Sequence, residues 1–363
     1  MPDNYRVPRT GKADLPLHPG RAPRWLFSRM ARLSGAIAEA IVGEFGTPEL
    51  LRRLSDPCWF QSLGCLLGFD WHSSGLTTTL TGAMKLALSR GLDRELGFFA
   101  AGGKGATSRK TPSEIEGVSS FLGIDPRPLV HASRMSAKVD TAALQDGYQL
   151  YHHAFFFDAG GSWCVVQQGM NEETRYARRY HWLSEKLVDF VEEPHAGIAS
   201  ERTGLALDMT ARESRPARET SVLLSAREPD ENLKELSRMR ELNLPREHRV
   251  LLSSVNPLYI RKTLLSVYEN PPHGFEELLG REGVGPKTIR ALALLSDVIY
   301  GARPSFHDPV VYSFAHGGKD GHPYPVNREL YDRTITVLER AIKKARLGQR
   351  EETEALRRLG RYF

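Results

Sequence analysis

Residues 148–168 read YQLYHHAFFFDAGGSWCVVQQ, and the fold class turns on them. Residues 148–157 and 163–168 are rich in aromatic and β-branched side chains, the composition of strands. Asp158-Ala159-Gly160-Gly161-Ser162 between them is a turn signal of hairpin length, so an antiparallel hairpin is expected. Neighbours alternate across a strand, so one of His152 and His153 is expected to face a core.

Working outward, residues 23–44 place Trp25, Leu26, Met30, Leu33, Ile37 and Ile41 at helical spacing. Another helix is expected to begin near Thr47 with Pro48 in its first turn, and more near residues 76–88 and 113–122. GKADLPLH, at 11–18, reads as a short strand or extended arm. After the hairpin, RYARRY (175–180) leads to an expected helix at about 183–191. Residues 194–232 are polar and irregular, with the composition of a linker. The chain is helical beyond residue 235. The expected fold is α+β: a mixed domain over 1–193 that carries the candidate chemistry, a linker and connecting helix over 194–245, and an all-helical domain over 246–363.

Length and composition agree. At roughly 150 residues per domain, 363 residues suggest two or three domains. With 40% hydrophobic and 26% charged residues, the chain suits a globular protein. No apolar run approaches the ~20 residues of a membrane span, and no secretory leader is evident at the N-terminus, so a cytoplasmic location is expected. Cys58, Cys65 and Cys164 include no CxxC pair and cannot build a disulfide framework. Net charge is +5, with basic residues gathered toward both ends of the chain. Such clusters suit phosphate partners.

A second informative stretch is FEELLGREGVGPKTIRALALLSDVIY, residues 275–300. A short helix ends at Leu279-Gly280, Gly283-Val284-Gly285 turns, and Pro286 opens a helix whose buried stripe is Ile289, Leu292, Ala293 and Ser296. This resembles the helix-hairpin-helix motif of DNA repair proteins. Two glycines let backbone amides approach a phosphate at the positive end of a helix, and Lys287 and Thr288 sit at that end. Contacts of this kind hold the sugar–phosphate chain without reading bases.

Two centres of chemistry are expected. Lys138, Asp140, Gln145 and Asp146 precede the hairpin, Asp158 lies at its turn, and Gln167 and Gln168 end its second strand. Oxygen donors grouped at strand ends suit Mg²⁺ or Mn²⁺. Asp140, Asp146, Asp158 and His153 are the candidate ligands, with Gln167 and Gln168 in support. Lys138, Arg178, Arg179 and His181 are placed to hold phosphates. The expected function is metal-dependent DNA cleavage in repair or recombination. The plain alternatives are a turn role for Asp158 and helix caps for Asp140 and Asp146. The second centre follows from the resemblance to helix-hairpin-helix glycosylases and abasic-site lyases, which implies Lys287 as nucleophile and Asp308 as its partner. A third reading is a non-catalytic, structure-selective DNA-binding adaptor, with a homodimer as one possible form. The glycine-rich loop AHGGKDGHPYPV, residues 315–326, is a further candidate phosphate or metal contact.

The stretches TGKADLPLH, AKVD, QDGYQLYHH, VVQQGMN, ARRYHW, GVGPKT, RALALLSDVIYG, DPVVYSFAHGGKDG and PYPV together resemble the bacterial and archaeal family known as domain of unknown function 763. That resemblance covers most of the chain and implies that the polar centre and the glycine turn belong to one protein type.

Overall fold

The hairpin lies in the middle of a five-stranded antiparallel sheet in the computed structural model, which describes residues 15–17, 22–69, 73–200, 202–239 and 257–310, with a few isolated residues between 336 and 357. Strand β1 (Phe98–Lys104) pairs with β3 (Gln149–Asp158), β3 with β4 (Trp163–Asn171), β4 with β5 (Tyr176–Leu183), and β5 with β6 (Gly197–Ala199). A separate short ladder joins β2 (Leu144–Gln145) to β7 (Leu207–Asp208). The fold is α+β, as expected.

Helices cover the sheet on both faces. One face is packed by α1 (Arg24–Phe45), α2 (Thr47–Ser55), α3 (Pro57–Leu66) and α4 (Gly75–Ala87), whose apolar sides meet Phe98, Ala154, Phe156, Cys164 and Val166. A short α5 (Asp93–Leu96) leads into β1. Phe99, Phe155, Phe157, Val165 and Trp182 on the other face join a continuous cluster. That cluster takes in α6 (Thr111–Leu122), α7 (Arg127–Lys138), α8 (Arg215–Ser225), α9 (Pro229–Met239), α10 (Pro257–Tyr268), α11 (Phe275–Gly280) and α12 (Pro286–Val298). A strand buried on both faces carries an unbroken apolar run, which accounts for AFFF and WCVV. Both histidines are therefore buried, one on each face, rather than only one.

Two other local expectations change. No helix forms at 183–191: β5 continues to Leu183, a single 3₁₀ turn follows, and Phe190 and Val191 pack onto Trp163 and the core as irregular chain. Residues 194–239 are not a linker within their described part, since β6, β7, α8 and α9 lie there with Ile198, Leu207, Ala217, Leu224 and Leu236 buried. Polar residues line even the inner sides of these short helices, where Arg218, Ser221, Ser225 and Asn232 are buried, so an apolar period does not stand out. The arm is extended where described: Ala177 N–H donates to Leu15 O at 2.8 Å and Leu17 N–H to Arg175 O at 3.0 Å, so residues 15–17 cover the start of β5. The rest of GKADLPLH and the loop 315–326 lie outside the described residues. Among those described, no helix is long and apolar enough to cross a membrane.

Candidate nucleic-acid interface

The sheet delivers the polar residues of the hairpin into two buried networks. Toward α7, the Gln167 amide donates to Asp140 Oδ2 at 2.6 Å, and the Trp182 indole N–H reaches the same oxygen at 3.0 Å. His195 pairs with Asp140 Oδ1 at 2.5 Å. Gln167 Oε1 is then left to accept from His153 Nδ1 at 2.7 Å, which sets the tautomer and leaves Nε2 to accept from the Ser133 hydroxyl at 2.9 Å. Ser133 is itself buried, so the chain Ser133–His153–Gln167–Asp140–His195 begins inside the protein. Burial holds His153 below the usual histidine range.

Gln168 serves the opposite face. Its oxygen accepts from Thr77 Oγ1, and its amide donates to Ser74 O at 2.8 Å and to the Tyr151 hydroxyl. A register shift between Leu150 and His152 puts Tyr151 and His152 on this same side, where His152 Nε2 meets Thr81 Oγ1 at 2.9 Å. Arg179 is fully buried here. Its Nη2 donates to Gln61 Oε1 at 2.5 Å, its guanidinium lies 4.8 Å from the Phe60 ring centroid, and burial lowers its pKa to about 9. His181 meets Leu54 O at 3.1 Å, and burial pushes it well below its ordinary range.

The remaining carboxylates are also committed. Asp146 accepts from Arg178 Nη1 at 2.9 Å, the Tyr180 hydroxyl at 2.7 Å and Tyr148 N–H at 3.1 Å. Burial raises its carboxyl above the usual range against the pull of Arg178. Arg178 grips Asp308 with both terminal nitrogens at 3.0 and 2.7 Å. Asp158 is a turn residue: it accepts from Gly160 and Ser162 N–H at 2.9 and 3.0 Å and from Thr47 Oγ1 at 3.0 Å.

The expected metal centre is therefore not assembled. Asp140, Asp146 and Asp158 spend their oxygens on protein donors in three networks, and His153 uses both ring nitrogens. Among the described residues, no group of three or more His, Cys, Asp or Glu side chains is arranged to hold a metal ion. The donor set does not fit Mg²⁺ or Mn²⁺. Arg178 and Arg179 are buried and not placed to meet DNA. Asp308, implied as partner of Lys287, is instead an ion-pair partner of Arg178 that also accepts from Gly204 N–H at 2.8 Å.

The glycine turn presents a different chemistry. α11 and α12 are joined by residues 281–285, with Gly283 at φ 80° and Val284 buried as the apolar plug. Gly285 precedes α12 in extended conformation at φ −142°, and no side chain caps the helix start. A Cβ at Gly285 would meet nothing within 4 Å. Lys287 is exposed beside this opening, whereas Thr288 is buried and faces inward. Lys138 ends α7 by donating to Val284 O at 2.6 Å. Gln145 donates to Pro286 O at 2.9 Å and accepts from Arg290 Nε at 2.9 Å. Two residues of the first expected centre thus meet the turn of the second: Lys138 and Gln145 brace it. Beside it an open cleft of about 920 Å³ runs between α7 and α11–α12, with His131, Arg134, Lys138, Arg281, Gly285 and Pro286 in its walls.

Residues 11–326 match the family model described as protein of unknown function, DUF763. The chain belongs to this family. No curated protein and no solved structure matches it. Reading residues alone missed several parts of this DUF763 chain's polar core: Ser133 and His195 lie in none of the quoted stretches, and Tyr180 and Trp182, within ARRYHW, show their polar partners only through packing. The brace formed by Lys138 has no sequence signal either, because its partner is a backbone carbonyl 146 residues away.

Proposed function

We propose that this protein binds DNA through the sugar–phosphate backbone, without reading sequence, using the turn at residues 283–287. The observation that carries the reading is the open space over Gly285 at the uncapped start of α12, with Lys287 exposed beside it. A phosphate oxygen can approach backbone amides there as no residue with a side chain would allow. The helix's partial positive charge and the lysine both favour an anion. Lys138 and Gln145 hold the turn's shape, so little ordering is needed on binding. The buried polar residues of the hairpin serve the core in this reading, and the protein is a non-catalytic binder. The alternatives, metal-dependent cleavage and a lyase reaction at Lys287, have less support, since Asp140, Asp146, Asp158 and Asp308 are all committed to other partners.

Gly285→Val is the decisive variant. The backbone there is extended and an added Cβ meets nothing within 4 Å, so the melting temperature should stay within a few degrees of wild type. Affinity for duplexes of unrelated sequence, measured by fluorescence anisotropy at low salt, should fall at least tenfold. Lys287→Ala should weaken binding equally for all sequences and reduce the salt slope of log Kd by about 0.9. Incubated with Mg²⁺ or Mn²⁺, branched and duplex DNA should remain uncut. Unchanged affinity in Gly285→Val would falsify the assignment of the turn.

A further inference from the structure

The sheet's edge strand β1 ends in GGK and continues as GATSRK before α6 opens. Lys104, Arg109 and Lys110 are all exposed in this seven-residue stretch, and none makes an ion pair with an acid among the described residues. Glu114, one turn into α6, is already neutralised: it pairs with Lys85 Nζ at 2.6 Å and accepts from Gly102 N–H at 2.7 Å. The loop therefore carries positive charge that the described structure does not compensate. Gly103 and Gly105 adopt φ 148° and 59°, conformations that let the chain turn sharply. The loop is held rather than loose, because Ser108 Oγ donates to Gly105 O at 2.7 Å and Thr111 Oγ1 to Ser108 O at 2.6 Å. Lys104 Nζ lies 5.7 Å from the centroid of the Tyr151 ring, which steadies its stem.

Position gives this charge a use. α6 and α7 pack together across the connection at 123–126, so the chain reverses and the start of α6 lies toward the end of α7. The end of α7 is Lys138, which holds Val284 of the glycine turn. In the sheet, Lys104 stands opposite His152, at the end of β3 that residues 145–148 enter, and Gln145 holds Pro286. Both routes place the basic loop and the glycine turn at one end of the molecule. Two cationic, glycine-bearing loops toward one end suit an extended polyanion better than a single phosphate.

We propose that residues 104–110 form a second phosphate-gripping loop, so that one DNA backbone is held both there and at the turn 283–287. The proposal rests on the DNA-binding reading above and extends it. Its contacts are electrostatic: Lys104, Arg109 and Lys110 each neutralise a phosphodiester, releasing counterions.

The test uses the full chain and a labelled duplex, with anisotropy titrations across a range of salt. The triple variant Lys104→Ala/Arg109→Ala/Lys110→Ala changes only exposed side chains and should keep its melting temperature. Its affinity at low salt should fall at least tenfold, and its salt slope should drop by about 2–3, close to 0.9 for each phosphate no longer neutralised. Lys234→Ala/Arg238→Ala, which removes two charges from α9, should leave both nearly unchanged. If Gly285→Val weakens binding while the triple variant keeps wild-type affinity and slope, the second loop is overturned and the turn stands. If the wild-type chain binds no duplex at low salt, the DNA-binding reading itself fails. Inorganic tripolyphosphate should displace DNA only weakly; tight binding of it by wild type, abolished in the triple variant, would replace DNA with a small phosphate ligand and overturn the proposal.

Discussion

Arg178→Met is expected to destabilise the protein by about 3–5 kcal/mol, the usual cost of leaving a buried charge without its partner. The reason is geometric. Arg178 is 1% exposed, and it answers two carboxylates that are almost as buried, Asp146 and Asp308. It also donates to Arg202 O at 2.8 Å and lies 4.5 Å from the Tyr148 ring centroid. Methionine fills much of the volume but answers neither acid. Asp308 follows α12, and Asp146 precedes the hairpin, so the substitution should loosen the join between the C-terminal helices and the sheet. Urea unfolding of the single variant measures the cost. Asp146→Asn/Asp308→Asn added to Arg178→Met removes both orphaned charges and should recover a substantial part of it. A cost below about 1 kcal/mol for Arg178→Met, the range of an exposed pair, would show that the ion pair does not hold these elements together.

The second large effect is acid sensitivity. His152 is buried where protonation is penalised, and its pKa falls to about 3, while His153 and His181 are lowered by the same cause. In the unfolded chain each titrates near ~6.5. A depressed folded pKa means that the unfolded state takes up protons first as pH falls. Stability is then full above the unfolded value and declines progressively below it, toward the folded value. For His152 alone the decline between pH 7 and pH 5 is about 2 kcal/mol, with a limiting slope of ~1.4 kcal/mol per pH unit. The other two histidines add in the same direction. Asp146 and Asp208, whose carboxyls burial raises, oppose it by binding a proton in the fold first. A difference measurement removes that opposition. His152→Phe should have a shallower stability–pH slope than wild type below pH 6, by one proton's worth. Identical slopes in the two proteins would mean that His152 is protonated within the fold.

The same residues show where reading a sequence stops. Two histidines and two glutamines on adjacent strands, with aspartates nearby, look costly unless something binds them. They do meet partners, but the partners are one another and residues such as Ser133, Thr77, Thr81 and Trp182. Composition cannot separate an internal network from a metal centre, since both call for the same donors. The difference lies in whether the oxygens converge on one point. Here Asp140, Asp146 and Asp158 do not, and only the packing of α7, β5 and α2 on the sheet reveals it. Lys138 changed role for a similar reason: a lysine near aspartates suggests phosphate, yet it donates to a carbonyl of the glycine turn.

Local chemistry and chain pattern by themselves determined the β-hairpin and its turn, the starts of α1, α2 and α12, the buried stripe of α12 and the α+β class. These depend on neighbours a few residues apart, which a sequence displays directly. Tertiary structure alone decided that both faces of the sheet are covered, that the described part of 194–239 packs into the core, and which polar side chains pair. It also brought Lys138 and Gln145 to the glycine turn. Those outcomes join residues tens to more than a hundred positions apart, and their stabilities come from desolvation, which has no meaning until the burying surface is in place.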